Sequence, residues 1–289
     1  MTTAPDLSGR TCMITGATSG IGKAAAAALA GMGASLVLVC RDRGRGERTA
    51  ADIQARTGNP AVTLLLGDLS SQQDIRRLAG EYRATGRPLH VLLNNAGVMM
   101  MRREETADGH ERTFALNHLG YFLLTVLLLD VLKASAPARI VSVASDAHHY
   151  AGGGLDFDDL DSTKSFSPMR VYARSKGANI LFTRELARRL AGTGVTANCL
   201  HPGFVGSSLA TNNGWYAKLI MLLLRPIARS TDKGAETAIY LCSSPDIEGV
   251  TGQYFFDKKP KFPKRYAQSD ENAQRLWTVS EQMTGLAAR

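Results

Sequence analysis

The chain has 289 residues, of which 44% are hydrophobic and 21% charged, so it can bury a large core and global disorder is excluded. The formal net charge of +8 comes from basic residues dispersed along the chain without an aromatic-basic face, which argues against nucleic-acid binding. The four cysteines form no C-x-x-C pair, so neither a zinc ribbon nor a thioredoxin-type site is expected.

The N-terminus and the apolar runs predict a protein without a membrane span. Residues 1–10 are polar and lack the apolar region that is typical of a secretion signal. The longest apolar stretches, residues 119–129 and 219–224, are shorter than the roughly 18 residues that a spanning helix needs. We therefore expect a soluble, cytoplasmic protein.

Short apolar runs alternate with helical patterns along most of the chain. In chain order, the pattern predicts strand 11–15, helix 23–31, strand 34–40, helix 45–56, strand 61–66, helix 71–85, strand 89–93, helix 111–133, strand 139–144, helix 171–191, strand 195–200, helix 231–243 and strand 253–256. Unbroken Val, Leu and Ile strands separated by helices are typical of a parallel sheet that is covered on both faces. The sequence therefore predicts an α/β fold, with one Rossmann-like domain over residues 1–289 and a doubly wound parallel sheet of about seven strands.

Two regions interrupt this alternation, residues 151–170 and residues 204–229. The first is polar and rich in Asp, and the second is irregular and apolar, with Trp215 and Tyr216. Both should emerge at the carboxyl ends of strands, where open α/β sheets bind their ligands. We predict that these insertions shape a substrate pocket, and the apolar side chains of the second favour a lipophilic substrate.

A glycine-rich turn lies directly between the first strand and the first helix. Gly16 permits a tight turn, Gly20 lets the backbone approach a pyrophosphate, and Gly22 lets the helix and the strand pack closely. The helix N-terminus then offers N–H groups and a positive dipole to the phosphates. This turn predicts a dinucleotide site formed by Gly16, Thr18, Ser19, Gly20, Ile21, Gly22 and Lys23.

The end of the second strand should meet the adenosine ribose of that dinucleotide. Arg41 can stack on adenine and bind a 2′-phosphate there, and Lys23 adds a second positive charge, so NADP(H) is favoured. Asp42 leaves NAD(H) possible, because a carboxylate in a slightly different register would bind the ribose. Asp68 and Leu69, after the third strand, could bond the edge of the adenine.

The later strands also end in residues suited to a cofactor. Asn95, Ala96 and Gly97 follow the fourth strand, where small residues allow a close approach and amides can bond nearby backbone. Pro202 and Gly203 follow the sixth strand and turn the chain over the nicotinamide. The predicted contacts beyond the glycine turn also include Tyr172, Lys176, Val205 and Ser207.

Tyr172 and Lys176 lie four residues apart, which places both on one face of their predicted helix. An ordinary tyrosine has a pKa of about 10 and is a poor base. A neighbouring ammonium favours the phenolate, so we expect Lys176 to lower the pKa of Tyr172. Ser145, just after the fifth strand, can orient a reacting oxygen. Asn117 is unfavourable within a helix by propensity, which suggests a polar role.

Together these motifs resemble the short-chain dehydrogenase/reductase superfamily over nearly the whole chain. A closer likeness to its retinol dehydrogenase-like branch rests on residues 117–125, 139–149 and 175–182. The resemblance implies an NADP(H)-dependent oxidoreductase that interconverts an alcohol and an aldehyde or ketone by hydride transfer. It also implies a catalytic tetrad in which Tyr172 exchanges the proton and Asn117 supports a water relay. The tetrad is Asn117, Ser145, Tyr172 and Lys176.

Several alternatives remain open at this point. The main one is an NADP-binding sensor that has lost catalysis, although such proteins usually lack the Tyr or the Lys. The resemblance also implies a homo-oligomer, either a dimer or a tetramer. His148 and His149 lack ligand partners at metal-binding spacing, so no metal site is expected. The basic run at residues 258–265 is interpreted as a solvated loop.

Overall fold

A computed structural model describes residues 5–205 and 229–286 of the chain, and strands and helices alternate along it. The strands are β1 (Thr11–Thr15), β2 (Ser35–Cys40), β3 (Val62–Leu66), β4 (Val91–Asn94), β5 (Ala138–Val143), β6 (Val195–His201), β7 (Tyr254–Phe256) and β8 (Lys259–Pro260). The helices are α1 (Gly20–Gly31), α2 (Arg43–Thr57), α3 (Gln72–Ala84), α4 (Arg112–Ala134), α5 (Pro168–Arg189), α6 (Thr231–Ser243) and α7 (Asp270–Met283).

The strands form one sheet in the order β3-β2-β1-β4-β5-β6-β7-β8. Neighbouring strands from β3 to β7 pair in parallel, which confirms the predicted doubly wound sheet. The estimate of about seven strands misses β8, which pairs antiparallel with β7. Asp257 and Lys258 make this reversal in left-handed backbone conformations, with φ of 46° and 63°. A strand of two residues leaves no alternation to detect in the sequence.

Helices cover both faces of the sheet, as predicted. One layer contains α1, α2 and α6, and the other contains α3, α4, α5 and α7. Strand side chains alternate between the layers, so Cys12 and Ile14 of β1 join one cluster while Met13 joins the other. Burial on both faces explains why the strands are unbroken apolar runs. Because β1 lies between β2 and β4, the winding reverses there, which is where sheets of this class bind ligands.

The predicted helices agree with the structure to within a few residues, except at the C-terminus. Ser71 caps α3 by accepting the Asp74 N–H at 3.3 Å. No helix was predicted at α7, which buries Leu276 and Trp277 and packs the Trp277 ring against Phe122 of α4 and Phe182 of α5. Ser269 caps this helix by accepting a backbone N–H at 3.1 Å, a start signal that the sequence does carry.

Of the helices that the structure describes, α4 has the length and composition of a membrane span. The sequence estimate counted only the stretch 119–129 of this helix, so its conclusion that the stretch is too short for a span was wrong. However, 72% of the most apolar window of α4 is buried inside the protein, and Phe122 and Leu128 belong to the core. A core helix passes the same test, so the finding by itself does not indicate a membrane protein.

Candidate active site

The glycine turn is braced by the loop that follows β4. Gly16 and Gly20 adopt positive φ angles of 66° and 54°, which favour glycine. A Cβ at Gly22 would lie 2.5 Å from the Gly16 carbonyl oxygen and even closer to the Asn95 amide, so only glycine fits. The Asn95 side chain donates to the carbonyl oxygens of Thr15 and Gly16 at 2.8 and 3.3 Å. The predicted bonding of this amide to nearby backbone is therefore present.

A second set of bonds joins the same two loops. The Thr15 hydroxyl accepts the N–H groups of Asn95 and Ala96 at 2.8 and 3.0 Å, and Gly97 follows directly. Thr18 and Ser19 lead into α1, and the first turn of this helix, Gly20 to Lys23, contains no acidic residue. A tight glycine cradle at a helix N-terminus without acidic residues fits the pyrophosphate of a dinucleotide. The residues that would hold it are Gly16, Thr18, Ser19, Gly20, Ile21, Gly22, Asn95, Ala96 and Gly97.

The end of β2 places Arg41 and Asp42 in different roles. Asp42 caps α2, accepting a backbone N–H at 2.7 Å, so its carboxylate already has a structural task. Arg41 is exposed and lies 3.6 Å from the carboxylate of Asp68 at the end of β3. The Lys23 ammonium pairs with Asp52 of α2 at 2.8 Å, and its contact with a 2′-phosphate remains a prediction. The Arg41 side chain is the more exposed of these two cations, at 51% against 37%.

The predicted adenine contacts lie in a loop held by its own hydrogen bonds. Asp68 receives both the N–H and the hydroxyl of Ser70 on one carboxylate oxygen, at 2.9 and 2.8 Å. Its own N–H donates to Asp74 at 2.8 Å. Leu69 is buried against Gly120 of α4, where a Cβ would lie 2.6 Å from the Leu69 carbonyl oxygen. These bonds order the loop, and its contact with adenine remains a prediction.

The predicted contacts beyond β6 are only partly described by the structure. Gly203 has a φ of 84° and packs under the Arg229 side chain, where a Cβ would lie 2.7 Å from Cδ. Pro202 precedes it, and Val205 is buried and pairs with Arg229. Ser207 and most of the predicted insertion at residues 204–229 lie outside the described residues, so their roles remain predictions.

The structure brings Ser145, Tyr172 and Lys176 together at the carboxyl end of β5. Tyr172 and Lys176 lie one turn apart on α5, and Ser145 is the second residue after β5. The buried Lys176 ammonium donates to the Val143 carbonyl oxygen at 2.9 Å and lies 5.7 Å from the centroid of the Tyr172 ring. The Ser145 side chain lies close enough to the Tyr172 phenol to oppose the rise in its pKa. This is the cluster that the spacing predicted.

The electrostatics of this cluster differ from the expectation. Burial raises the pKa of Tyr172 to about 12, and the nearby Ser145 side chain is the opposing influence. Burial also lowers the pKa of Lys176 to about 7, so its amine is only partly charged near neutral pH. The expectation that Lys176 lowers the pKa of Tyr172 is not met, because this amine is itself desolvated and bound to Val143.

Asn117 connects the β4 loop to the helix of Tyr172. It lies in a π-helical turn of α4, at Ala115–Leu119, and its amide exchanges hydrogen bonds of 2.8 and 2.9 Å with the backbone of Val98. Its Nδ2 also donates to the Ser175 hydroxyl at 3.0 Å, and that hydroxyl donates to the Tyr172 carbonyl oxygen at 2.7 Å. Sequence reasoning missed Ser175, although its position between Tyr172 and Lys176 was visible.

The residue after Ser145 is the centre of a charged cluster that the sequence analysis missed. Asp146 accepts the Tyr254 hydroxyl at 2.8 Å and the Lys261 ammonium at 2.6 Å, and His201 lies 3.5 Å from it. Lys261 belongs to the basic run interpreted as a solvated loop, so that interpretation was wrong for this residue. More than a hundred residues separate Asp146 from Lys261, so no local pattern could reveal the pair.

Asp146, His148 and His149 have potential ligand atoms within 4.8 Å of one another. Both ring nitrogens of His148 are already used, one with the Ser145 carbonyl oxygen at 2.8 Å and one with the Lys264 N–H at 3.0 Å. A metal ion would have to displace one of these bonds. The cluster is therefore explained by hydrogen bonding within the protein.

Similarities to known proteins agree with this site. A family described as short chain dehydrogenase matches residues 10–156 and 160–215. The chain is 44% identical over 285 residues to Retinol dehydrogenase 12 of Mus musculus, covering 99% of this chain and 89% of that protein. An uncharacterized protein from Mycobacterium Paratuberculosis has a crystal structure with a TM-score of 0.78 and 34% identity, covering 98% of this chain and 96% of that one.

A structure with a bound cofactor is also similar. The Pseudomonas aeruginosa RhlG/NADP active-site complex has a TM-score of 0.69 and 26% identity, covering 88% of this chain and 97% of that one. The fold is thus shared with proteins that span nearly the same length. Since the family match covers more than half of the chain, and the identity to a full-length relative is high, the chain belongs to the short-chain dehydrogenase/reductase family of oxidoreductases, in its retinol dehydrogenase-like branch.

Proposed function

We propose that this protein is an NADP(H)-dependent oxidoreductase that interconverts a lipophilic alcohol and its aldehyde or ketone. The observation that carries the proposal is the meeting of Ser145, Tyr172 and Lys176 at the sheet edge that also holds the glycine turn. The similarity to a protein named for retinol, a long apolar alcohol, supports a lipophilic substrate.

The residues of the site have distinct tasks in this proposal. When bound, the reduced nicotinamide would supply a hydride to the substrate carbon. With a pKa of about 12, the Tyr172 phenol keeps its proton at neutral pH, so it is the acid that protonates the carbonyl oxygen during reduction. Ser145 donates a hydrogen bond to the same oxygen and fixes its position. Lys176 lies beside both the phenol ring and Gly97, where it can bind the cofactor ribose.

A substrate series tests the activity directly. Purified protein is mixed with NADPH and straight-chain aldehydes of increasing length, and the loss of NADPH absorbance is followed. We expect turnover, with kcat/KM increasing with chain length because each buried methylene contributes about 0.8 kcal/mol. Tight NADPH binding without turnover of any aldehyde or ketone would instead support a catalytically inactive sensor.

The preference for NADP(H) rests on Arg41. Its guanidinium is exposed at the end of β2, while the neighbouring Asp42 is engaged as the cap of α2. The substitution Arg41→Ala should lower kcat/KM for NADPH by about 10- to 100-fold, the range expected for a charge-assisted hydrogen bond, and leave that for NADH nearly unchanged. Arg43→Ala is the matched control, since this arginine pairs with Glu47 along α2. Equal losses with both cofactors would contradict the assignment.

A further inference from the structure

A segment near the C-terminus closes around the loop of the proposed catalytic serine. Residues 259–268, called the C-terminal segment below, comprise β8, a short loop and the 3-10 turn Arg265–Gln268. Lys261 donates to Asp146 at 2.6 Å, and Lys264 donates through its side chain to the His149 carbonyl oxygen at 2.9 Å. The segment therefore contacts residues that directly follow Ser145 in the chain.

The central contact of this segment is made by His148, which is fully buried. Its Nε2 accepts the backbone N–H of Lys264 at 3.0 Å, so that nitrogen carries no proton. Its Nδ1 must then be the protonated nitrogen, and it donates to the Ser145 carbonyl oxygen at 2.8 Å. Burial lowers the pKa of His148, which favours the same neutral ring. The imidazole thus links the backbone of Ser145 to that of Lys264.

Tyr266 extends this link to the helix of the other proposed catalytic residues. Its hydroxyl donates to the His148 carbonyl oxygen at 2.9 Å. Its ring lies against Gly177, where a Cβ would lie 3.0 Å from the ring carbons, and also against Gly154. Gly177 directly follows Lys176 on α5. One aromatic side chain therefore contacts both the serine loop and the helix of Tyr172.

We propose that His148 is a positioning residue for Ser145, and that the C-terminal segment holds it in place through the Lys264 N–H. The Ser145 hydroxyl accepts the Ala147 N–H at 3.1 Å, so its direction depends on the fold of the turn Asp146–Tyr150. The imidazole fixes the start of that turn. A hydroxyl displaced by about an ångström no longer makes a well-oriented hydrogen bond to the reacting oxygen, and such a displacement can lower the rate about 100-fold. This inference rests on the proposed function.

The sharpest test removes a single N–H. Lys264 has a φ of −61°, which proline adopts without strain, so Lys264→Pro deletes the donor to His148 in a compatible backbone. Lys264→Ala is the matched control, because it removes the same side chain but keeps the N–H. We expect kcat for carbonyl reduction to be about 3- to 10-fold lower for Lys264→Pro than for Lys264→Ala, the loss of one ordinary hydrogen bond. The KM for NADPH should be equal in both.

A second pair of variants tests the role of the His148 imidazole itself. His148→Phe removes both ring bonds, whereas His149→Phe changes the exposed neighbour, whose ring contacts His148 at a centroid distance of 4.2 Å and a tilt of 36°. We expect kcat per NADPH-binding site to fall by about 10- to 100-fold in His148→Phe, and by less than about twofold in His149→Phe. The number of NADPH-binding sites is measured by titration, and dividing the rate by this number corrects kcat for any unfolded protein.

The outcomes separate this inference from the proposed function. If the unmodified enzyme reduces no carbonyl compound, the proposed function fails. If it is active, but Lys264→Pro matches Lys264→Ala and His148→Phe matches His149→Phe in kcat per site, the positioning role is overturned. A rise in the KM for NADPH with unchanged kcat would also overturn it, because it would place His148 in cofactor binding.

Discussion

The carboxyl edge of the sheet has two parts that are built in different ways: the loops after β1 and β4, called the cofactor edge below, and the loop after β5 with helix α5, called the catalytic edge. At the cofactor edge, glycine and small residues bring backbone segments into contact, as in the fit of Gly22 against Gly16 and Asn95. At the catalytic edge, long polar side chains make the contacts, and the hydrogen bonds of Asp146 and His148 reach residues more than a hundred positions away. The first edge depends on the absence of side-chain volume, and the second on the presence of particular polar groups.

The largest expected effect tests whether the catalytic edge depends on one hydroxyl. Tyr172→Phe should lower kcat by about 100- to 10,000-fold, because the proton donor is lost. Tyr121→Phe is a matched control, since the Lys176 ammonium lies 5.7 Å from both rings and the Tyr121 hydroxyl is buried with no hydrogen-bond partner among the described residues. It should change kcat by less than about threefold. Similar losses in both variants would contradict the role given to Tyr172.

The next effect concerns the buried amine of the catalytic edge. The pKa of Lys176 falls to about 7 from an ordinary 10.5, so the unfolded chain binds an additional proton between these values. The free energy of unfolding should therefore rise with pH in this window, relative to Lys176→Met, by up to about 1.4 kcal/mol per pH unit. Urea unfolding of both proteins at pH 7, 8 and 9 measures the difference. A constant difference would show that the amine keeps its ordinary pKa.

The smallest expected effect comes from adding a side chain at the cofactor edge, which tests whether its close backbone contacts require glycine. Gly22→Ala should lower the free energy of unfolding by about 1–3 kcal/mol, because its Cβ meets the Gly16 carbonyl and the Asn95 amide. Gly80→Ala is the control within α3, where no atom lies within 4 Å of the added Cβ, and it should stabilise the protein by about 0.5–1 kcal/mol. Denaturant unfolding measures both. Equal changes in the free energy of unfolding would mean that the glycine turn accommodates a Cβ at position 22.

The same contrast explains what could be predicted from the sequence. The glycine turn, the end of β2 and the pair of Tyr172 and Lys176 are recognisable because each requires only neighbouring residues and a fixed spacing. The strands are recognisable because burial on both faces makes them continuous apolar runs. The family resemblance added the joint role of Asn117 and Ser145, which their separate positions do not establish.

What escaped prediction depends on distant contacts or on burial. The binding of Lys261 to Asp146 and of Lys264 to His148 follows from the path of the chain after β7, which no local pattern describes. The direction of the Tyr172 pKa shift was missed because desolvation depends on every atom packed around the phenol, whereas the sequence shows only its helical neighbour. Helix α7 was missed although Ser269 carries a capping signal.

The capping role of Asp42 has a consequence for any redesign of cofactor choice. Its carboxylate holds the first turn of α2, so turning it toward a ribose would trade stability of that helix for a new ligand contact. A variant intended to accept NAD(H) should therefore place its new acid at position 41 and leave Asp42 untouched. In the proposed function Arg41 sets the nucleotide preference while the adjacent Asp42 caps α2, so a directed-evolution search that randomises both positions would also select for a stable α2.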